Sequence, residues 1–243
     1  MRLHRIHTEQ DLEPDREIRL ENGRAHYLGR VLRVVAGQTI VLFNGDGRDY
    51  AAEVLAADRN TVRIAVRSRL PARRESPLSV TIVQAVSRGE RMDQTLQKCT
   101  ELGATAFRLL ESERVEVRLD RKRLAKRMDH WRSVIVAACE QSGRACIPAL
   151  SAPCAADDWL NEPAADTTTR LVLDPDAEQR LAAVAPATAF ELAIGPEGGF
   201  SAAERERMQA AGARGVTLGP RILRTETAGP AALAILQALH GDF

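Results

Sequence analysis

Two short strings in the second half of the chain hold most of the residues able to do chemistry. The first is Gly195, Pro196, Glu197, Gly198 and Gly199, which follows the apolar run FELAI and precedes a helix start at Ser201. A strand-to-helix loop lies at the carboxyl edge of a parallel sheet, where α/β proteins bind ligands. Glycine there lets backbone approach a ligand and adopt positive φ. Glu197, in the middle of the loop, would repel a phosphate, so a pyrophosphate cradle is disfavoured and a neutral or cationic ligand fits better. Taken alone, the string is also accounted for by a tight turn. The second string runs LGPRILRTET from Leu218 to Thr227, at the end of another strand and before the apolar run AALAILQAL. Two apolar residues between Arg221 and Arg224 suit a segment packed against something. One account of it needs no ligand: Ile222 and Leu223 plug the core and Arg224 pairs with Glu226. Pro230 falls where the first turn of the next helix tolerates it.

Other groups carry less. Asn44, Gly45, Asp46 and Gly47 follow a strand, but a second strand comes next, so no helix N-terminus is offered to a phosphate and the string reads as a hairpin turn. His4 and His7 have no further ligand-type neighbours, and no metal site is expected. Cys99, Cys139, Cys146 and Cys154 form no CxxC pair and read as reduced structural thiols. No GxxxxGK[ST] string occurs, which argues against nucleotide hydrolysis.

The elements that must position these strings divide into two groups. From Gln38 to Arg67 the chain reads as three strands, TIVLF, YAAEVLAA and TVRIAV, joined by short turns and therefore antiparallel. Before them, Ala25, Leu28, Leu32 and Val35 recur at helical spacing between Gly23 and Val35. A small β-barrel with one helix over residues 1–70 is the result. Residues 71–77 read as a linker, within a proline-containing, charged and aperiodic stretch. From 78 to 243 apolar strands (LSVTIVQAV, AFRLL, RLVLD, FELAIG, GVTLG) alternate with amphipathic helices, the pattern of an α/β domain with a parallel sheet. Gly103 reads as a helix stop, and Ser201 with Glu204 as a capping box. Leu124, Met128, Trp131, Ile135 and Ala138 form an apolar helix stripe, with Arg121, Lys122, Lys126, Arg127 and Arg132 mostly off it.

The formal charge of +1 hides an uneven distribution. Residues 1–77 carry 14 basic against 11 acidic residues, 78–132 carry 12 against 8, and 133–243 carry 8 against 14. A basic first half suits a polyanion partner. No run of about 18 apolar residues occurs, and the start MRLHRIHTEQ is charged where a signal peptide is apolar. The expectation is a soluble, cytoplasmic protein without membrane contact.

IGPEGGFS at 194–201 and LGPRILRTETA at 218–228 together resemble the paired motifs of the ribosomal RNA small subunit methyltransferase E family. Further matches are QKCTELGA at 97–104, SERV at 112–115, EQSGR at 140–144 followed by Pro148, and HYLGRVLRVVAG at 26–37. The resemblance spans nearly the whole chain. Val115 stands where the family pattern has serine, and Ser87-Arg88 replaces a lysine-containing approach to the first helix.

The resemblance implies a PUA-like RNA-binding domain followed by a SPOUT domain whose C-terminal segment threads a trefoil knot, binds S-adenosylmethionine and completes each active site by homodimerisation. The implied reaction is methylation of N3 of a uridine in 16S ribosomal RNA of the small ribosomal subunit. By carry-over, Leu173, Ile194, Gly195, Pro196, Glu197, Gly198, Gly199, Leu218, Gly219, Ile222, Leu223, Arg224 and Ala228 line the cofactor pocket. Uridine N3 is a weak nucleophile until its proton is lost, so a base or an anion-stabilising cation is required. Arg114, Arg144, Arg224 and Glu226 are the candidates, without a choice among them. Arg2, Arg5, Arg30 and Arg33 are expected to contact RNA. The competing readings are another SPOUT enzyme acting on a ribose 2′-oxygen or a transfer RNA base, and a noncatalytic RNA-binding ribosome-assembly factor.

Overall fold

A computed structural model describes residues 3–71, 75–114, 121–163 and 165–243, without the side chain of Arg121. Arg2 and Val115 lie outside the described residues. The chain forms two compact units: Met1–Glu75 with Cys139–Ile147, and Ser76–Ala138 with Pro148–Phe243.

The first unit is built on a five-stranded curled sheet, a half-barrel with order β1-β3-β4-β5-β2. The three expected strands are present as β3 (Thr39–Phe43), β4 (Tyr50–Ala57) and β5 (Thr61–Arg69), and they pair antiparallel. Two strands that the sequence reading did not assign close its sides: β1 (Arg5–His7), parallel to β3, and β2 (Glu17–Glu21), antiparallel to β5. Alternation places Ile18, Leu20, Ile40, Leu42, Tyr50 and Val54 in one buried cluster with Ile6 and Leu28. The single helix expected over Gly23–Val35 is shorter and irregular. It consists of α1 (Asn22–His26) and a π-helical turn (Tyr27–Val31), and Arg33 takes a positive φ of 51°. Glycines at 23 and 29 and the β-branched Val31, Val34 and Val35 disfavour a regular α-helix. Ala25 and Leu28 are buried, whereas Val35 is exposed. Cys139–Ile147 also belongs to this unit, although the sequence reading placed it in the second domain. Glu140 accepts from the His7 amide and pairs with Arg24, and Ile147 packs over the Gly45 turn.

The second unit carries a parallel sheet, β12-β10-β11-β6-β7-β8, with β9 (Cys154–Ala155) also on β7. Its main strands are β6 (Ser79–Ala85), β7 (Ala106–Glu111), β10 (Thr168–Leu173), β11 (Ala189–Ile194) and β12 (Arg214–Val216), with β8 (Ala149–Leu150) at the edge. The helices are α2 (Glu90–Glu101), α3 (Arg121–Ser142), α4 (Ala156–Asn161), α5 (Ala202–Ala210) and α6 (Thr225–His240). α2 ends at the expected Gly103 turn, φ +96°, and the Ser201–Glu204 capping box starts α5. α6 packs on β11 and α2 through Gly229, where a Cβ would lie 3.0 Å from Ile194 Cδ1 of β11 and 3.6 Å from Cys99 Sγ of α2, so glycine sets how closely the helix approaches. Pro230 sits one turn further into α6 than its expected first-turn position. No helix among the described residues is long and apolar enough to cross a membrane.

Candidate functional site

The carboxyl ends of β10, β11 and β12 open into a cavity of about 570 Å³. Three segments supply most of its wall, and Arg91, Arg114 and Arg205 the rest. Leu173 and Asp174 come from the end of β10, Ile194 to Phe200 from the end of β11 and the loop after it, and Val216 to Ala228 from the long return of the chain after β12. A glycine loop at the carboxyl edge of a parallel sheet is where this architecture offers backbone to a ligand.

The first string is both a tight turn and a cavity wall. The Gly199 amide donates to the Pro196 carbonyl at 2.9 Å, and Gly199 has φ +66°. Gly195 is the crowded position: a Cβ there would lie 3.0 Å from Phe200 N and 3.2 Å from the Gly199 carbonyl carbon. A Cβ on Gly198 would meet Arg114 Cβ at an ordinary 3.6 Å. Glu197 does not present an unpaired charge. Its Oε1 lies 2.5 Å from Arg91 Nη1 and 3.5 Å from the Arg88 amide nitrogen. Partial burial pushes its carboxyl up, but hydrogen bonds from its own backbone amide and from Arg91 outweigh this and hold it below the ordinary carboxylate range.

The second string is tied to the first by Thr225. Its hydroxyl donates to the Gly195 carbonyl at 3.0 Å and accepts from Gln84 Nε2, on β6, at 3.0 Å. Because Pro230 has no amide to donate to the Glu226 carbonyl, these tertiary bonds help to hold the first turn of α6. Leu218, Ile222, Leu223, Arg224, Glu226 and Ala228 line the cavity. Gly219 does not; with φ +120° it turns the chain after β12. The account in which Ile222 plugs the core fails, since Ile222 is 84% exposed. Glu226 lies nearest Arg91, Oε2 to Nε 4.0 Å, rather than pairing with Arg224.

Arg114, one of the four catalytic candidates, reaches the cavity and donates from Nη1 to the Gly198 carbonyl at 2.9 Å. Its position follows from Glu204, which caps α5, accepts from the Glu113 amide at 2.9 Å and accepts from the Ser112 hydroxyl at 3.2 Å. Arg144, another of the four candidates, belongs to the first unit, where its guanidinium pairs with Glu75 at 2.8 Å and its carbonyl accepts from Arg5. Arg5 is buried against Asp49 and stacked over Phe43, so it serves the half-barrel rather than a surface. Arg30 and Arg33 are exposed.

Sequence reasoning missed Arg91, Asp174 and Arg205. Arg91, in the first turn of α2, faces both Glu197 and Glu226. Asp174 and Asp176 share Arg205, at 3.3 and 3.7 Å. Asp174 closes the string RLVLD, and its place at a strand's carboxyl end was the available signal.

The fold and cavity define a ligand-binding α/β unit joined to a small β unit, and comparison with known proteins narrows the class. Residues 74–237 match a family model described as an RNA methyltransferase domain, and residues 20–67 match an RNA methyltransferase PUA domain. The ribosomal RNA small subunit methyltransferase E of Buchnera aphidicola (Schizaphis graminum) is 31% identical over 99% of this chain and 98% of that protein. A Legionella pneumophila protein solved with the bound cofactor S-adenosylmethionine superposes with a TM-score of 0.95 at 37% identity, covering 100% of both chains. The Neisseria gonorrhoeae ribosomal RNA small subunit methyltransferase E bound to S-adenosylmethionine gives 0.93 at 35% identity, again covering 100% of both. The chain therefore belongs to the ribosomal RNA small subunit methyltransferase E family.

Proposed function

We propose that this protein transfers a methyl group from S-adenosylmethionine to N3 of a uridine in 16S ribosomal RNA of the small ribosomal subunit, as a cytoplasmic homodimer. The observation that carries the reading is that the two strings, some twenty residues apart, build one cavity of about 570 Å³. Its walls suit the cofactor: apolar side chains at Leu173, Ile194, Leu218 and Leu223 for an adenine, backbone at Gly195 and Gly198, and the acidic Asp174 and Glu197 near a cationic ligand. When bound, S-adenosylmethionine supplies an electrophilic methyl. The protein's part is to hold nucleophile and donor in line and to exclude water. Arg114, fixed to the Gly198 carbonyl, and Arg224 supply positive charge at the rim.

A trefoil knot is part of the proposal. It is supported by the path from β12, at the sheet edge, back to Thr225, which bonds to residues at the ends of β11 and β6. Dimerisation is supported by the exposure of Ile222 on the cavity wall, which a second copy would cover, and light scattering should give twice the 26.6 kDa chain mass. Arg30 and Arg33 are proposed to contact RNA. The function is tested by tritiated methyl transfer to small subunits lacking the modification, followed by nucleoside analysis. The expected product is 3-methyluridine in 16S RNA. Methylation of a ribose or another base would overturn the position, and no transfer would overturn the activity.

A further inference from the structure

A second cleft adjoins the cavity and shares three residues with it. It is lined by Arg88, Gly89, Glu90, Arg91, Gln94, Glu197 and Glu226. Arg91, Glu197 and Glu226 form the boundary between the two spaces. At that boundary Glu226 Oε2 is buried and has no hydrogen-bond partner among the described residues. A buried carboxylate oxygen without a donor is costly and marks a place where a donor is expected to arrive.

We infer that this cleft is the target-base site, that Glu226 accepts the N3 proton of uridine, and that Arg91 donates to an adjacent base carbonyl. The inference rests on the proposed N3 methylation. The uracil edge presents acceptor, donor, acceptor at O2, N3–H and O4. It therefore needs a donor, an acceptor and a donor opposite, and Arg91, Glu226 and Gln94 supply those types in one cleft. Cytosine presents an N3 lone pair to Glu226 and is rejected by repulsion between acceptors. In the reaction, the N3–H bond breaks and its proton passes to the Glu226 carboxylate. N3 then forms its bond to the methyl carbon as the carbon–sulfur bond breaks, its electron pair staying on sulfur. The positive charge lost from sulfur is matched by the proton gained by Glu226. Arg91 stabilises the charge that develops on the base oxygen while it also holds Glu197. This favours Glu226 over Arg114 and Arg224 as the base, because an arginine keeps its proton. The charged groups sharing the cleft with Glu226 are Arg91 and Glu90 on α2, Arg88 before it, and Glu197 on the loop after β11.

The test uses the full-length protein and Glu226→Gln. In single-turnover methyl transfer at saturating S-adenosylmethionine, Glu226→Gln should be slower at pH 7 by about 10²–10⁴-fold. Its rate should climb about tenfold per pH unit toward uridine's own ionisation, where the wild-type rate is flat. In a binding readout independent of turnover, uridine added to the protein saturated with S-adenosylhomocysteine should shift the Arg91 Nε–H resonance. That resonance is assigned by Arg91→Lys; cytidine should not shift it, and Glu226→Gln should lose the discrimination. Equal shifts with both nucleosides, no shift with uridine, or a Glu226→Gln rate and pH profile like wild type would overturn the inference. Wild-type protein that makes no 3-methyluridine sinks the function itself. Wild-type N3 methylation with an unimpaired Glu226→Gln sinks only the base site.

Discussion

Thr225 Oγ1 donates to the Gly195 carbonyl oxygen at 3.0 Å, so the last loop of the chain is fastened to the loop after β11 by one buried hydroxyl. The same oxygen accepts from Gln84 of β6, which joins three segments at the wall of the cavity.

Replacing Thr225 with valine keeps the shape and removes those bonds. Urea unfolding should show a loss of about 1–3 kcal/mol, the cost of leaving buried polar groups without a partner. Calorimetry should show S-adenosylmethionine binding weakened about tenfold. Unchanged cofactor affinity would mean that the two loops are positioned independently.

Arg5 and Arg144 should behave as structural residues of the first unit. Arg5→Ala strips Asp49 of a buried ion-pair partner and should cost about 3–5 kcal/mol. Arg144→Ala, at a less buried pair, should cost about 1.5–3 kcal/mol. Chemical denaturation measures both, and cofactor affinity should stay at the wild-type value. A folded Arg144→Ala with intact cofactor binding but abolished methyl transfer would instead place Arg144 in the reaction.

Glu197 gives a pH dependence with a definite sign. Its carboxyl in the folded protein lies below the ordinary value, so its contribution to stability is complete above the unfolded-state value and is lost as pH falls through the folded one. The stability difference between wild type and Glu197→Gln should be constant from pH 6 to 8 and shrink below about pH 4. A difference that grows on acidification would contradict the Arg91 pairing.

The thiols should be sluggish. Burial pushes Cys139 up to about 12 and raises Cys99 as well, so both stay protonated at pH 8. Iodoacetamide should label them slowly in the native protein and rapidly in urea, as read by mass spectrometry. Fast native labelling of Cys139 would show that the end of α3 opens readily from the first unit.

The parallel sheet, the stop at Gly103 and the Ser201–Glu204 box were legible because each rests on local pattern: apolar runs, a glycine that can take positive φ, and a side chain three residues from its cap. β1 and β2 were not, since RIH is too short for alternation and EIRLE shows only two inward residues, Ile18 and Leu20. Cys139–Ser142 reads as the end of a continuous helix, and nothing local reveals that Glu140 and Ile147 pack against the half-barrel. The cavity strings were visible through their glycines and prolines. Arg91 was hidden because a lone arginine in a first helical turn has no spacing signature, and only the fold brings it to Glu197 across 106 positions of sequence. Gly198 illustrates the same limit. Sequence marks all the glycines of the loop alike, whereas the structure gives the tightest contact to Gly195 and the positive φ to Gly199.

The central claim, that these two loops form the S-adenosylmethionine site, is tested most directly by calorimetric titration of the cofactor into wild type, Gly195→Ala and Gly198→Ala, with circular dichroism on each. A Cβ at 195 would meet Phe200 N at 3.0 Å, whereas at 198 it finds ordinary contact at 3.6 Å. The prediction is that wild type binds, Gly195→Ala loses at least about tenfold in affinity, equivalent to about 1.4 kcal/mol, and Gly198→Ala stays within about threefold. Wild-type affinity in a folded Gly195→Ala protein, or no cofactor binding by the wild type, would contradict it.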